Sequence, residues 1–248
     1  MAGRTIYVEC TSGASGDMIV AALLDLGADR EILLKGLKSL KVGNYRIEIS
    51  KVVKKCAEAC DFNVILEDTK DCKISDIPER NLFDIYKIID ASLISENAKD
   101  IARRIFKIKA EALALAHNLS IDKVYFHERG AVDSIVDIVS AAICLDNLNI
   151  KDVIISDIYD GCGTIECRSG IIPVPVPTVV NIARKYGLNL KVTNINGEMV
   201  TPTGASILAG IRTKKQLMPE KYEVIRVGIG AGKRSYPTHG VLRIYLID

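Results

Sequence analysis

The chain has 248 residues, enough for one large domain or two small ones with ample core material. Hydrophobic residues make up 48% and charged residues 26%, a globular balance that excludes disordered and fibrous classes. The net charge of +2 comes from dispersed lysines and arginines without interleaved aromatics, which excludes an electrostatic commitment to nucleic acid or membrane.

Residues 4–10 alternate and are β-branched, predicting a strand, and Gly16 to Leu26 predicts a helix that Gly27 stops. Asp29 to Leu40 predicts a second amphipathic helix. Residues 45–67 read as two strands around a polar centre, Lys54 to Asp61, and Asp68 to Arg80 as a charged surface loop. Leu82 to His117 predicts two or three helices with a break near Ser92 to Glu96, and Ala131 to Leu148 an apolar helix. Val153 to Tyr159 predicts a buried strand and Thr164 to Cys167 another. Pro173, Pro175 and Pro177 remove ladder donors, so Ile171 to Pro177 is extended but not a central strand. A helix from Thr178 to Tyr186, a strand from Leu190 to Asn194 and a helix from Thr203 to Arg212 follow. Strands at Glu223–Val227 and Val241–Ile247 close the chain.

This alternation predicts an α/β architecture, with mixed sheet or sheets and ligand loops between strands and helices. Residues 1–248 read as one region, divisible into 1–80 (α/β), 81–148 (helical) and 149–248 (α/β). No apolar run reaches the roughly 20 residues that cross a bilayer, and MAGRTIYVEC lacks a signal-peptide core. Seven cysteines without a compact framework read as free thiols of a cytoplasmic protein.

Five segments carry the chemistry. In Val124–Asp137, His127 and Glu128 end an apolar run, and Asp133 and Asp137 share a helix face four residues apart. Two carboxylates there repel unless a cation, a basic ligand or solvent compensates; otherwise Asp133 and Ser134 cap the helix. Thr11–Asp17 is a glycine-bearing strand-to-helix loop, with Gly13, Ser15 and Gly16 suited to close backbone approach and an oxyanion. It lacks the lysine of a P-loop, and Asp17 is either a metal ligand or a helix-start charge. Gly161, Gly163 and Thr164 form a second glycine-rich loop. In the third loop Thr201 caps a helix with Pro202 at its first position, and Thr203 and Gly204 follow; the helix start either binds phosphate or needs no ligand. Gly228 to Arg234 reads as a glycine-rich turn whose Lys233 and Arg234 suit a phosphate or carboxylate, or are solvated.

Six motifs together resemble one family, the nickel insertion proteins that complete the nickel-pincer cofactor. They are Ser12-Gly-x-Ser-Gly-Asp-Met18, Phe126-His-Glu-x-Gly-Ala-Val-Asp-Ser-Ile-Val-Asp137, Gly161-x-Gly-Thr164, Pro173-Val-Pro-x-Pro177, Val200-Thr-Pro-Thr-Gly-Ala205 and Gly230-Ala-Gly232. The resemblance implies a cytosolic chelatase of the lyase class. It inserts nickel into pyridinium-3,5-bisthiocarboxylic acid mononucleotide using CTP and a divalent ion, manganese or magnesium. It implies metal handling by Asp17, His127, Glu128, Asp133 and Asp137, and mononucleotide binding by Gly13, Ser15, Gly16, Gly161, Gly163, Thr164, Thr201, Thr203 and Gly204. Tyr125, Asn81 and Ser169 stand where the family pattern carries histidines, and the 68–80 loop has none. The family continues into a further, CTP-associated domain, so the resemblance implies an N-terminal portion, acting with a separate partner chain and possible as a homo-oligomer. Two alternatives stay open: a non-catalytic nickel- or cofactor-binding subunit, and a divergent relative binding another nucleotide-like ligand.

Overall fold

The structure, a computed structural model, describes residues 3–55, 57–67, 78–126, 131–167, 170–213 and 220–248. Strand β1 (Arg4–Cys10) buries Ile6, Val8 and Cys10 on alternate positions, as its β-branched run predicts. Helix α1 (Gly16–Asp25) follows, then α2 (Arg30–Lys38), which starts where Asp29 accepts the N–H groups of Glu31 and Ile32 at 2.8 and 3.1 Å. Strands β2 (Tyr45–Lys54) and β3 (Ala57–Leu66) pair antiparallel along their full lengths. The polar stretch Lys54 to Asp61 is therefore mostly strand, a correction to the expected polar centre. β2 ends at Lys54 and Lys55 takes the left-handed region, at φ 52°. Most of the loop read at 68–80 lies outside the described residues.

Short β4 (Arg80–Asn81) leads into α3 (Leu82–Ala91) through a capping box between Asn81 and Asp84. Helix α4 (Glu96–His117) begins at the Ser95 cap and ends at Asn118 in the left-handed region, so the break expected near Ser92 to Glu96 is present. Then come β5 (Tyr125–Phe126), paired with β4, and α5 (Val132–Asn147). Strand β6 (Ile150–Cys162) is longer than expected and absorbs Gly161 and Cys162. The hairpin β7 (Thr164–Cys167) and β8 (Gly170–Pro173) stands apart from the main sheet, as the prolines require. Helix α6 (Pro177–Tyr186), β9 (Leu190–Asn196), α7 (Pro202–Ile211), β10 (Val224–Ala231) and β11 (Val241–Ile247) complete the chain.

Seven strands form one mixed sheet in the order β2-β3-β10-β11-β1-β6-β9. β1, β6 and β9 are mutually parallel, β11 runs against both β1 and β10, and β10 is parallel to β3. The loops after β1, β6, β9 and β10 therefore leave from one edge, where open α/β sheets place ligands. The expected α/β class is what forms. One apolar core joins sheet and helices, from Ile6 and Val8 through Ile19, Phe106 and Ile135 to Leu208. Among the described residues no helix is long and apolar enough to cross a membrane.

A second correction concerns Gly228 to Arg234. Gly228 and Gly230 lie inside β10, not in a turn. A Cβ at Gly228 would stand 2.6 Å from Leu26 N, and one at Gly230 2.7 Å from Ala22 N. The glycines let α1 lie directly on the strand, and only Gly232 to Arg234 belongs to the edge loop.

Candidate functional site

The loop after β1 is stitched to the start of α7. Ala14 N donates to Met199 O, and Thr201 N donates to Ala14 O, each at 3.0 Å. Gly13, at φ 88°, needs both the left-handed region and the space: a Cβ would stand 2.7 Å from the Met199 carbonyl carbon. Gly204 presses on the same loop, its missing Cβ 2.6 Å from the Ala14 carbonyl carbon. Thr201 caps α7 by accepting Gly204 N–H at 3.1 Å, with Pro202 at the first helical position, as its sequence predicts. On the other side of the loop, a Cβ at Gly16 would meet the Asp137 Cγ at 2.8 Å. Gly13, Gly16, Asp137, Thr201 and Gly204 thus belong to one assembly.

A cleft of about 200 Å³ opens there, lined by Ser12, Ser15 and Asp17 on one side and by Glu198, Thr201 and the 232–240 loop on the other. Ser15 stands at the N-cap of α1 but makes no cap bond; its hydroxyl donates to Asp17 Oδ1, which also accepts Met18 N–H at 2.9 Å. Burial raises the Asp17 carboxyl above its ordinary value, against the pull of those two bonds and of Lys233. Lys233 Nζ pairs with Asp61 at 2.5 Å. Arg234 Nη1 donates to Glu198 Oε2 at 2.8 Å and to Glu198 O at 2.7 Å, and the Tyr236 hydroxyl donates to the same carbonyl at 2.8 Å. Burial works against the Arg234 cation, but Glu198 and Tyr236 outweigh it and raise its pKa. The lining therefore offers cations, carboxylates and hydroxyls side by side.

Gly161, Gly163 and Thr164 sit beside this cleft rather than on it. A Cβ at Gly161 would stand 2.5 Å from Ile195 O, Gly163 turns at φ 84° against Asn196, and Thr164 is exposed on β7. Gly161 is tied to the cleft loop through Asp160, which the sequence reading missed. Asp160 is fully buried, and its Oδ1 accepts Gly161 N–H at 2.7 Å, Met199 N–H at 2.8 Å and Val200 N–H at 3.0 Å. One oxygen thus fixes the loops after β6 and β9 together, while Oδ2 is buried without a hydrogen-bond partner. Burial outweighs the three N–H donors and Arg234 and raises its pKa. The signal was available: period-2 alternation puts Asp160 on the buried face of Ile158.

Of the residues expected to handle metal, Asp17 lines the cleft, Asp137 lies against Gly16, and Asp133 is exposed on the first turn of α5. His127 and Glu128 lie outside the described residues. Among the described residues no three His, Cys, Asp or Glu side chains gather to hold a metal. The capping alternative for Asp133 and Ser134 is not what forms: the N-cap is Ala131, at φ 62°, with no side-chain cap bond. Asn81 and Tyr125, two of the positions where the resemblance expects histidine, face each other across β4 and β5.

Thr203 and Ser134 meet at a residue that was also missed. The buried Lys109 ammonium donates to Ser134 Oγ at 2.5 Å and to Thr203 Oγ1 at 3.0 Å, tying α4, α5 and α7 together beside the Phe126 ring. A lysine on the Ala102, Ile105, Phe106 stripe of α4 marks it in the sequence. Cys10, Cys60, Cys144, Cys162 and Cys167 are free thiols.

The profile of the family described as nickel insertion protein matches residues 6–248. A pyridinium-3,5-bisthiocarboxylic acid mononucleotide nickel insertion protein of Alkaliphilus metalliredigens is 49% identical over 98% of this chain. Proteins with the same name from Acetivibrio thermocellus and Staphylococcus epidermidis are 42% and 32% identical over 98% and 99% of it. The chain spans about 60% of the length of each of these relatives. No solved structure matches it. With the loops after β1, β6 and β9 leaving one sheet edge and the family profile matched almost from end to end, this chain belongs to the nickel insertion protein family.

Proposed function

We propose that this chain binds pyridinium-3,5-bisthiocarboxylic acid mononucleotide at the edge of its sheet and takes part in CTP-dependent nickel insertion into it, in the cytoplasm. The observation that carries this reading is the convergence of the Ser12–Asp17 and Glu198–Gly204 loops on one cleft of mixed polarity. Ser15 and Thr201 hold the ligand directly, Gly13, Gly16 and Gly204 shape the cleft by letting its loops pack on Met199, Asp137 and Ala14, Thr203 supports them through Lys109, Gly161 acts through Asp160, and Gly163 and Thr164 flank the site. Nickel is the cargo. Asp17 and Asp137 supply oxygen donors beside Gly16, and His127 and Glu128 supply a nitrogen and a further oxygen from the segment before α5. Oxygen-rich sets suit magnesium or manganese, and an added imidazole shifts preference toward nickel. CTP and the manganese or magnesium ion are handled mainly by the further portion that the relatives possess, acting as a lyase-type insertase with this chain.

The metal assignment has a direct test. His127→Ala and Asp137→Asn are each expected to weaken nickel binding about 10–100-fold with the fold intact, the size of metal-shell effects elsewhere. Calorimetric titration with nickel decides it, and wild-type affinity in both variants would remove these residues from the metal path.

A further inference from the structure

The cleft beside α1 is smaller than a mononucleotide. Its volume is about 200 Å³, below the roughly 300–1,000 Å³ of pockets that engulf drug-sized ligands. It therefore takes part of the molecule, and its donors and acceptors say which part. Ser12 is 8% exposed, lines the cleft and makes no side-chain hydrogen bond among the described residues. Its hydroxyl can therefore donate to a group that enters the cleft. Across from it, the Thr201 oxygen accepts from Gly204 N, which leaves its proton to donate outward. Arg234 uses Nη1 on Glu198 and also meets the Tyr236 side chain, which still leaves donors among its five N–H groups, and Lys233 Nζ has spent one of three protons on Asp61. These groups are donors converging on one cavity, the arrangement a phosphate monoester requires.

The carboxylates favour a ligand that is only partly anionic over bare phosphate filling the cavity. Asp17 and Glu198 line the same cavity and would repel an anion filling it. Asp17 takes both its bonds on Oδ1, leaving Oδ2 to accept. A carboxylate acceptor is what ribose hydroxyls require, as in dinucleotide sites where an acidic residue holds the sugar. A sugar phosphate satisfies both halves of the lining at once, whereas the ring's thiocarboxylates would meet the donors but leave the Asp17 acceptor without a partner.

We propose that the cleft is a phosphoribosyl subsite. The phosphate lies against Ser12, Thr201, Lys233 and Arg234, the sugar hydroxyls face Asp17, and the pyridine ring stays outside the cleft. This assignment rests on the mononucleotide reading above and says which end of the molecule enters.

Calorimetric titration of the intact chain with ribose 5-phosphate, nicotinic acid and nicotinic acid mononucleotide tests it, on wild type, Ser12→Ala and Arg234→Gln. Thermal melts of the variants establish that each is folded. Ribose 5-phosphate is expected to bind and to compete with the mononucleotide, and both should weaken about tenfold or more in each variant. Nicotinic acid should displace neither. Failure of ribose 5-phosphate to bind, unchanged affinity in both variants, or displacement by the ring alone would overturn the subsite. If the mononucleotide binds and ribose 5-phosphate does not, the subsite falls and the mononucleotide reading stands. If ribose 5-phosphate binds with the expected sensitivity and the mononucleotide does not, the subsite stands and the broader reading falls.

Discussion

Gly230→Val is expected to lower the melting temperature by about 10 °C, through roughly 3 kcal/mol of overpacking at the seam between α1 and the sheet. The added Cβ would stand 2.7 Å from the backbone nitrogen of Ala22, which cannot rotate away as a side chain would. The helix must lift, and Ser15 and Asp17 at its first turn move with it, so the loss should reach the cleft. Gly232→Ala is the control. Its Cβ would meet the Met18 sulfur at 3.1 Å, the end of a flexible side chain, and should cost under about 1 kcal/mol. Thermal melts followed by circular dichroism compare the two. Equal melting temperatures would mean that α1 does not depend on close approach at Gly230.

Asp160→Ala and Asp160→Asn are expected to act in opposite directions. Alanine strands the N–H groups of Gly161, Met199 and Val200, and each unsatisfied buried donor costs about 1–3 kcal/mol, so the loss should exceed about 3 kcal/mol. Asparagine keeps the carbonyl acceptor and removes a charge that burial disfavours, although its NH2 takes the place of the partnerless Oδ2. The pH dependence fixes the sign. The folded pKa of Asp160 is raised above its ordinary 3.8, so the folded state binds the proton more tightly than the unfolded state. Stability from this group is therefore greatest in acid and falls as pH rises from about 3.8 through the raised value. The neighbouring charges are Arg234, which moderates the shift, and Glu198, which pairs with Arg234. Asp160→Asn should gain on wild type across that window and then hold a constant difference. Denaturant unfolding at a series of pH values measures it, and an Asn variant that loses ground as pH rises would refute the buried-charge account.

These two positions also show what a sequence reveals and what it hides. β1, α1 and α7 were legible because local chemistry and periodicity agree: β-branched alternation, a glycine-bearing loop, and Thr201 followed by Pro202. Gly228 and Gly230 misled, because a glycine-rich run signals a turn equally well as a helix pressed onto a strand, and only tertiary contact separates the two. Asp160 and Lys109 were legible as anomalies, polar residues on buried faces of β6 and α4, but nothing local says what they hold. Their partners lie in loops and helices distant in the chain: Met199 and Val200 for one, Ser134 and Thr203 for the other. The cleft behaves the same way. Ser15, Asp17 and Thr201 were picked from their own motifs, whereas Ser12 and Glu198 gain meaning only once the loops after β1 and β9 meet.

The proposed participation of this chain in nickel insertion is tested most directly by the mass of the mononucleotide itself. The bisthiocarboxylated mononucleotide, nickel and CTP are incubated with a polypeptide carrying the relatives' remaining portion, with and without this chain, and the small molecule is weighed by mass spectrometry. The nickel-bearing product is expected only when the chain is present, and its yield should fall when Asp17→Asn or Arg234→Gln replaces wild type. Nickel incorporation that proceeds equally well without the chain would contradict the account.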